Sequence, residues 1–228
     1  MSQTVLFTKD EEAKQPKRGR KADVAHDLYT SKPAVIVPGR LGSTVVSTGI
    51  KTAFDPNKYG LFISPRGSMM KYPLTMGNTQ GIVEGEYRGE VGLPLKNTNP
   101  LQTYTLGTSF YALNFSRHVL LIDETGKLTS MCVDEMAERY PEFKDLAIEQ
   151  TKKLAEDIKL VYGYEIYVNL RKKLTLKHGV VAGTIYIPKG TRLCQTYLLP
   201  RFDTEFVEVA ELDDTERGSG AYGSSGVH

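Results

Sequence analysis

Tryptophan is absent, cysteine occurs only twice, and the balance of charge is nearly even at +2 over 228 residues. Cys132 and Cys194 lie far apart without ligand-like spacing, which argues against a disulfide framework or a cysteine zinc site and fits a reducing compartment. Two isolated histidines, His118 and His178, do not make a metal site. So small a net charge gives no case for a nucleic-acid or membrane partner. No apolar run approaches a membrane span, and the N-terminus lacks the apolar core of a signal peptide. The expectation is a soluble, cytoplasmic, non-secreted chain.

What is present is an ordinary globular mix, 40% hydrophobic and 25% charged, sufficient to close a core. Thirteen Tyr and 21 Gly point to strands and tight turns. Short β-branched or apolar runs recur at Thr4–Thr8, Ala34–Val37, Ser43–Val46 and Tyr59–Ile63, most closed by Gly, Pro or Ser. Ile82–Val83 and Val91–Leu95 read as a hairpin pair around a polar segment. This spacing predicts an all-β antiparallel sandwich or jelly roll. From Ser130 to Tyr162, apolar residues such as Met136, Phe143, Leu146, Leu154, Ile158 and Val161 recur largely at three- or four-residue steps. One or two amphipathic helices are expected there, interrupted at Pro141. Strand character returns at Glu165–Val168, Gly183–Ile187 and Leu193–Leu199. Asp213–His228 is Gly- and Ser-rich and reads by itself as a frayed tail.

Four segments can carry chemistry. Gly81-Ile-Val-Glu-Gly-Glu-Tyr-Arg-Gly-Glu90 places Glu84 and Glu86 at alternate positions, on one face if extended. A carboxylate on a rigid hairpin can take a proton from water and aim the nucleophile. Taken alone, such a stretch is more often a charged hairpin tip. Arg66 in Ser64-Pro-Arg-Gly-Ser68, and Arg192 with Gln195 in Pro188–Gln195, suit phosphate oxygens, since the arginine fork and nearby N–H donors converge on one anion. Arg217-Gly-Ser-Gly-Ala-Tyr-Gly-Ser-Ser-Gly226 sets a cation, an aromatic ring and three hydroxyls on a glycine-rich backbone able to fold over a triphosphate.

In this order the segments resemble the five motifs of the trimeric dUTPases. Ala25-His-Asp-Leu28 resembles the first, Pro65–Ser68 the second, Gly77-Asn78 with Gly81–Glu90 the third, Gly190–Gln195 the fourth and Arg217–Gly226 the fifth. Five ordered matches are far more specific than any one of them. The resemblance implies a β jelly-roll subunit in a homotrimer whose sites draw on more than one chain. It also implies dUTP as substrate, cleaved to dUMP and pyrophosphate, with Mg²⁺ bound through the triphosphate and Asp27 reaching it at most through water. Glu84 takes the place of the water-activating carboxylate, with Asp27 and Gln195 completing the catalytic group. Tyr87 would pack beneath the deoxyribose and exclude a 2′-hydroxyl. Asn78 and backbone near Gly81 would read the uracil edge. Arg66, Gly67, Ser68 and Gln195 would contact the α- and β-phosphates, with Arg192 beside them. Arg217, Gly223, Ser224 and Ser225 would hold the γ-phosphate, with Tyr222 over the uracil. Lys17–Lys21 matches a basic loop common before the first motif, and is read as solvated rather than as a localisation signal.

The sequence departs from the pattern in places. Glu84 stands where Asp is usual, the second motif reads Arg66-Gly67-Ser68 rather than Arg-Ser-Gly, and Tyr222 replaces Phe. Thr191 replaces an Asp, which leaves Arg192 without that partner. The third and fourth motifs are also unusually far apart. The expected organisation is therefore a core of residues 1–97 and 184–212, an insertion of residues 98–183 that is helical around 130–162, and a glycine-rich arm of residues 213–228. The insertion is expected to be a surface decoration, or else a docking surface for a partner protein. The alternative functions are a dCTP deaminase or bifunctional deaminase/dUTPase of the same superfamily, and a regulatory protein built on a dUTPase scaffold.

Overall fold

The computed structural model describes residues 3–106, 110–162, 179–215 and 218–219. Its centre is β17 (Arg192–Pro200), the longest strand, paired antiparallel with β2 (His26–Tyr29) and β6 (Tyr59–Pro65). β6 continues the sheet to β8 (Gly81–Val83), giving the order β2-β17-β6-β8. A facing sheet has the order β4 (Thr44–Val46), β9 (Leu93–Asn97), β7 (Leu74–Met76). Alternation along these strands sends Leu28, Leu61, Ile63, Val83 and Leu193 inward from one sheet to meet Val46, Leu74, Met76, Leu93 and Leu95 from the other. This is the jelly-roll-like β-sandwich expected from the strand spacing.

A third layer arises because β3 (Ala34–Ile36) and β16 (Ile185–Ile187) are buried on both faces. Ala34, Ile36, Ile185 and Ile187 face the sandwich core, whereas Val35, Val37 and Tyr186 face a second core. Strands covered on both sides read as unbroken apolar runs, as both do. β13 (His118–Ile122) pairs parallel with β16 and antiparallel with β14 (Leu128–Cys132), so the sheet order is β14-β13-β16-β3. The parallel pair departs from the all-antiparallel expectation; it follows a long crossover, which such pairing requires.

The second core is closed by α1 (Val133–Arg139) and α2 (Phe143–Tyr162), on either side of Pro141 as the sequence predicts. Phe143, Ala147, Leu154 and Ile158 form the buried stripe of α2, with Gln150 and Thr151 between them. Thr151 donates its hydroxyl to the Ala147 carbonyl, 2.7 Å away, and so buries no unpaired oxygen. Asp157 on α2 accepts from the Arg40 guanidinium and from the Leu41 N–H at 3.1 Å. Gln150 accepts from Arg40 and Thr44. Residues 98–183 are thus knit into the framework through β13 and α2.

Smaller elements complete the chain. The opening strand lies at β1 (Leu6–Lys9), two residues later than its apolar pattern suggests, and pairs with β5 (Ile50–Ala53). β10 (Thr103–Leu106) pairs with β11 (Phe110–Leu113), and β12 (Phe115–Ser116) with β15 (Val180–Val181). The segment between the third and fourth motifs therefore carries more strand than its composition suggests. The strand expected at Glu165–Val168 lies outside the described residues, as does His178.

One expectation fails outright. Ile82–Val83 and Val91–Leu95 do not form a hairpin, because β8 pairs with β6 while β9 pairs with β4 and β7. Both runs are apolar enough to be core strands, and each finds its partner in a different sheet. The polar stretch between them is the crossing from one layer to the other.

Leu154→Ala should test the second core. Leu154 is fully buried, and such truncations typically cost about 3 kcal/mol. A loss of that size is expected in denaturant unfolding followed by circular dichroism.

Candidate nucleotide site

Asp27 lies on β2 opposite Gln195 of β17. Only 7% of the residue is exposed, so its charge needs partners. It has two. Arg66 donates Nε to Oδ1 at 2.7 Å, and Arg192 donates an Nη to Oδ2 at 3.2 Å. Arg66 is set by its own backbone as well, its N–H donating to the Leu193 carbonyl at 2.9 Å. Asp27, Arg66, Arg192 and Gln195 line a cleft of about 370 Å³ whose other wall is Gly19, Asp23, Val24 and Ala25. The basic loop at Lys17–Lys21 leads into that wall, and Lys17 bridges Asp27 through the backbone.

A bulge explains how one strand supplies both Arg192 and Gln195. Residues three apart on a regular strand point to opposite faces. The register of β17 against β2 shifts between Arg192 and Cys194, and Leu193 and Cys194 are both buried in the sandwich core. The extra residue returns Gln195 to the face that Arg192 and Asp27 share. Burial also pushes the Cys194 thiol up to about 12, which leaves it protonated and inert.

The Asp missing at Thr191 is not needed to hold Arg192, because Asp27 does so. Thr191 is instead fully buried, donating its hydroxyl to the Pro188 carbonyl at 2.8 Å. Beside Arg66, Gly67 is exposed, and a Cβ there would meet nothing within 4 Å. Next to it, the Ser68 hydroxyl oxygen is buried with no partner, which is a costly state for a polar atom.

The third-motif residues stand elsewhere. Asn78 is exposed in the turn before β8, and Gly81 opens β8 opposite Ile63. Asp27 and Gly81 occupy the outer strands of the four, roughly 14 Å apart at ~4.8 Å per strand. Glu84 follows β8 at the other end of β6, level with Gly60. At ~3.3 Å per residue that is roughly 20 Å from Arg66. Glu84 and Glu86 are exposed, but they do not share an extended face. The chain turns after Val83, where the Tyr87 N–H donates to the Glu84 carbonyl at 3.0 Å. Tyr87 is about half exposed and lies over Gly89. Arg217, Tyr222, Gly223, Ser224 and Ser225 lie outside the described residues.

Two groups the sequence reading passed over join these loops. Tyr197 stacks on Phe62 with ring centroids 6.1 Å apart, and its hydroxyl accepts from the Gln80 amide at 2.7 Å. It also lies 3.1 Å from the Ser64 hydroxyl. Glu90 binds the Ser47-Thr48-Gly49 turn: a single carboxylate oxygen accepts from the Ser47 hydroxyl at 2.5 Å and from the Thr48 and Gly49 N–H groups at 2.8 Å each. The turn-prone run Ser47-Thr-Gly49 was the available signal, since consecutive N–H groups in a turn make an anion nest.

Burial pushes the Glu90 carboxyl up, but the Ser47, Gly49 and Thr48 donors and the Lys32 charge outweigh it, so the net shift is downward from 4.5. The stabilisation it provides is then complete above that value and lost as pH falls through the lower folded one. Wild type should exceed Glu90→Gln in stability at neutral pH, and the gap should close well below pH 4.5 in denaturant melts across pH.

The family model described as dUTPase matches residues 11–105. Over 86 residues the chain is 40% identical to the deoxyuridine 5′-triphosphate nucleotidohydrolase of Thermobifida fusca, covering 37% of this chain and 46% of that protein. Over 91 residues it is 34% identical to the same enzyme of Corynebacterium glutamicum, covering 40% and 60%. The chain thus spans about half the length of the relatives it matches. Its fold is that of the Staphylococcus bacteriophage 80alpha dUTPase solved with dUpNHpp, at TM-score 0.63 and 17% identity, covering 99% of this chain and 100% of that one. The dUTPase of S. aureus phage phi11, described by its species-specific insert, aligns at TM-score 0.56 and 17% identity over 93% and 99%.

Proposed function

This chain belongs to the dUTPase family, and from that membership we propose that it hydrolyses dUTP to dUMP and pyrophosphate. The observation that carries the reading is the Asp27 carboxylate holding Arg66 and Arg192 together at a cleft with Gln195. A pair of arginines fixed before substrate arrives can receive phosphate oxygens without reorganising, which is where charge builds during phosphoryl transfer. Arg66, Gln195 and the unpaired Ser68 hydroxyl would take the α- and β-phosphates.

The attacking group comes from elsewhere. Glu84 would accept a proton from water, whose oxygen attacks the α-phosphorus as pyrophosphate leaves. Glu84 stands roughly 20 Å from Arg66 along the sheet at ~3.3 Å per residue, so within one chain the two do not meet. A homotrimer solves this: the Arg66 cleft of one chain faces the Glu84, Tyr87 and Asn78 loop of its neighbour. Asn78 reads uracil, Tyr87 packs under the deoxyribose, and the Arg217–Ser225 arm closes over the phosphates with Tyr222 on the base.

Mg²⁺ fits as a passenger of the triphosphate. Among the described residues no cluster of three His, Cys, Asp or Glu would hold a metal, and both Asp27 oxygens already accept from arginines. The phosphate oxygens would hold the ion, with Asp27 reaching it only through water, and the ion neutralises charge on the leaving pyrophosphate.

The phage dUTPases of this fold are described as controlling transfer of virulence genes. By that likeness, residues 98–183 offer a docking surface for a protein partner, and Leu160 and Val161, exposed near the end of α2, support it. Removing the whole segment would strip the second core, so point changes at Leu160 and Val161 are the fitting probe.

Pyrophosphate release should be measured for dUTP, dCTP, dTTP and UTP, with and without Mg²⁺. Strong preference for dUTP with Mg²⁺ is expected, and ammonia from dCTP would point to the deaminase instead. Glu84→Gln should lower turnover by at least ~100-fold, the usual scale for a lost general base. Co-expressing Glu84→Gln with Arg66→Ala chains should restore part of the activity that each alone lacks. Failure to complement would mean that each site is built within one chain.

A further inference from the structure

Resting on the dUTP reading above, we propose that Glu90 is a positioning residue for sugar selection: its carboxylate anchors the loop that holds Tyr87 in place. The anchor is built from fixed parts. Three donors converge on one Glu90 oxygen, from Ser47, Thr48 and Gly49. Ser47 is itself held by the Ser31 hydroxyl at 2.6 Å. Gly49 has a φ of +65°, and a Cβ there would come within 2.7 Å of the Ala13 Cβ, so the turn is packed from behind. The next residue is fastened too, the Val91 N–H donating to the Ile50 carbonyl at 2.8 Å.

From this fixed end the hold passes back along the loop. The Tyr87 hydroxyl donates to the Glu90 carbonyl at 3.1 Å, and a Cβ at Gly89 would lie 2.2 Å from that hydroxyl, so the ring occupies the space a side chain would fill. The Tyr87 N–H in turn donates to the Glu84 carbonyl. The ring is otherwise about half exposed, with little packing to set its height. A ring that excludes a 2′-hydroxyl must hold that height, because a displacement of an ångström opens room for one oxygen. The Glu90 side chain supplies the constraint from outside the substrate pocket.

The test compares kcat and KM for dUTP and UTP in the full chain with Glu90→Gln, Glu90→Asp, Tyr87→Phe and the Glu90→Gln/Tyr87→Phe double variant. Glu90→Gln is expected to cut the dUTP/UTP ratio of kcat/KM about tenfold, as for the loss of one strong hydrogen bond. Tyr87→Phe should do much the same, with the double variant falling little further, because the two act through one contact. Glu90→Asp, which keeps the charge, should fall between wild type and Glu90→Gln. A purely structural role would lower both substrates equally, and an unchanged ratio in Glu90→Gln would overturn the proposal. Should Glu90→Gln fail to fold, Ser47→Ala removes one donor and keeps the carboxylate; it should lower the ratio about threefold, and an unchanged ratio there overturns the proposal as well. A wild-type chain without preference for dUTP would sink the underlying reading first, which separates the two failures.

Discussion

A single buried carboxylate organises the cleft. Asp27 joins β2 to β17 by its backbone and joins Arg66 to Arg192 by its side chain. Two guanidinium groups this close would repel without an anion between them, and a carboxylate this buried would be costly without cations beside it. Each resolves the other's cost. The result is a preformed set of donors whose geometry is fixed by three strands instead of by a flexible loop.

The same economy recurs with Glu90. There the carboxylate meets a turn of backbone donors, and the partnership ties the crossing segment to the facing sheet. The two anions thus divide the labour. One arranges cations at the head of the central sheet, and the other holds the loop that leaves its far end. Between them runs the length of β6, which is why a complete site calls for a second chain.

Much of this could be read from the residues. Alternation located most core strands, Pro141 separated the two helices, and the ordered motifs identified the family. Arg66, Arg192, Asp27 and Gln195 converge as their motif order suggests. What was illegible was pairing. Ile82–Val83 and Val91–Leu95 look like hairpin partners, because strand propensity says where a strand lies and not which sheet it enters. The bulge at Leu193/Cys194 was equally hidden, since nothing in an apolar Leu-Cys pair announces an extra residue. Nor did the absence of Asp at Thr191 reveal that Asp27, far away in sequence, already held Arg192.

The sheet containing β3 and β16 has a consequence for the history of such a chain. Val35, Val37 and Tyr186 are apolar on a face that a simpler sandwich would show to water, and α2 now covers them. Once those side chains are in place, the covering helix cannot be shed without exposing a contiguous greasy surface that invites aggregation. Accretion of this kind works as a ratchet. An added segment that began as dispensable becomes obligatory through its neighbours' substitutions, whether or not it ever acquires a partner of its own.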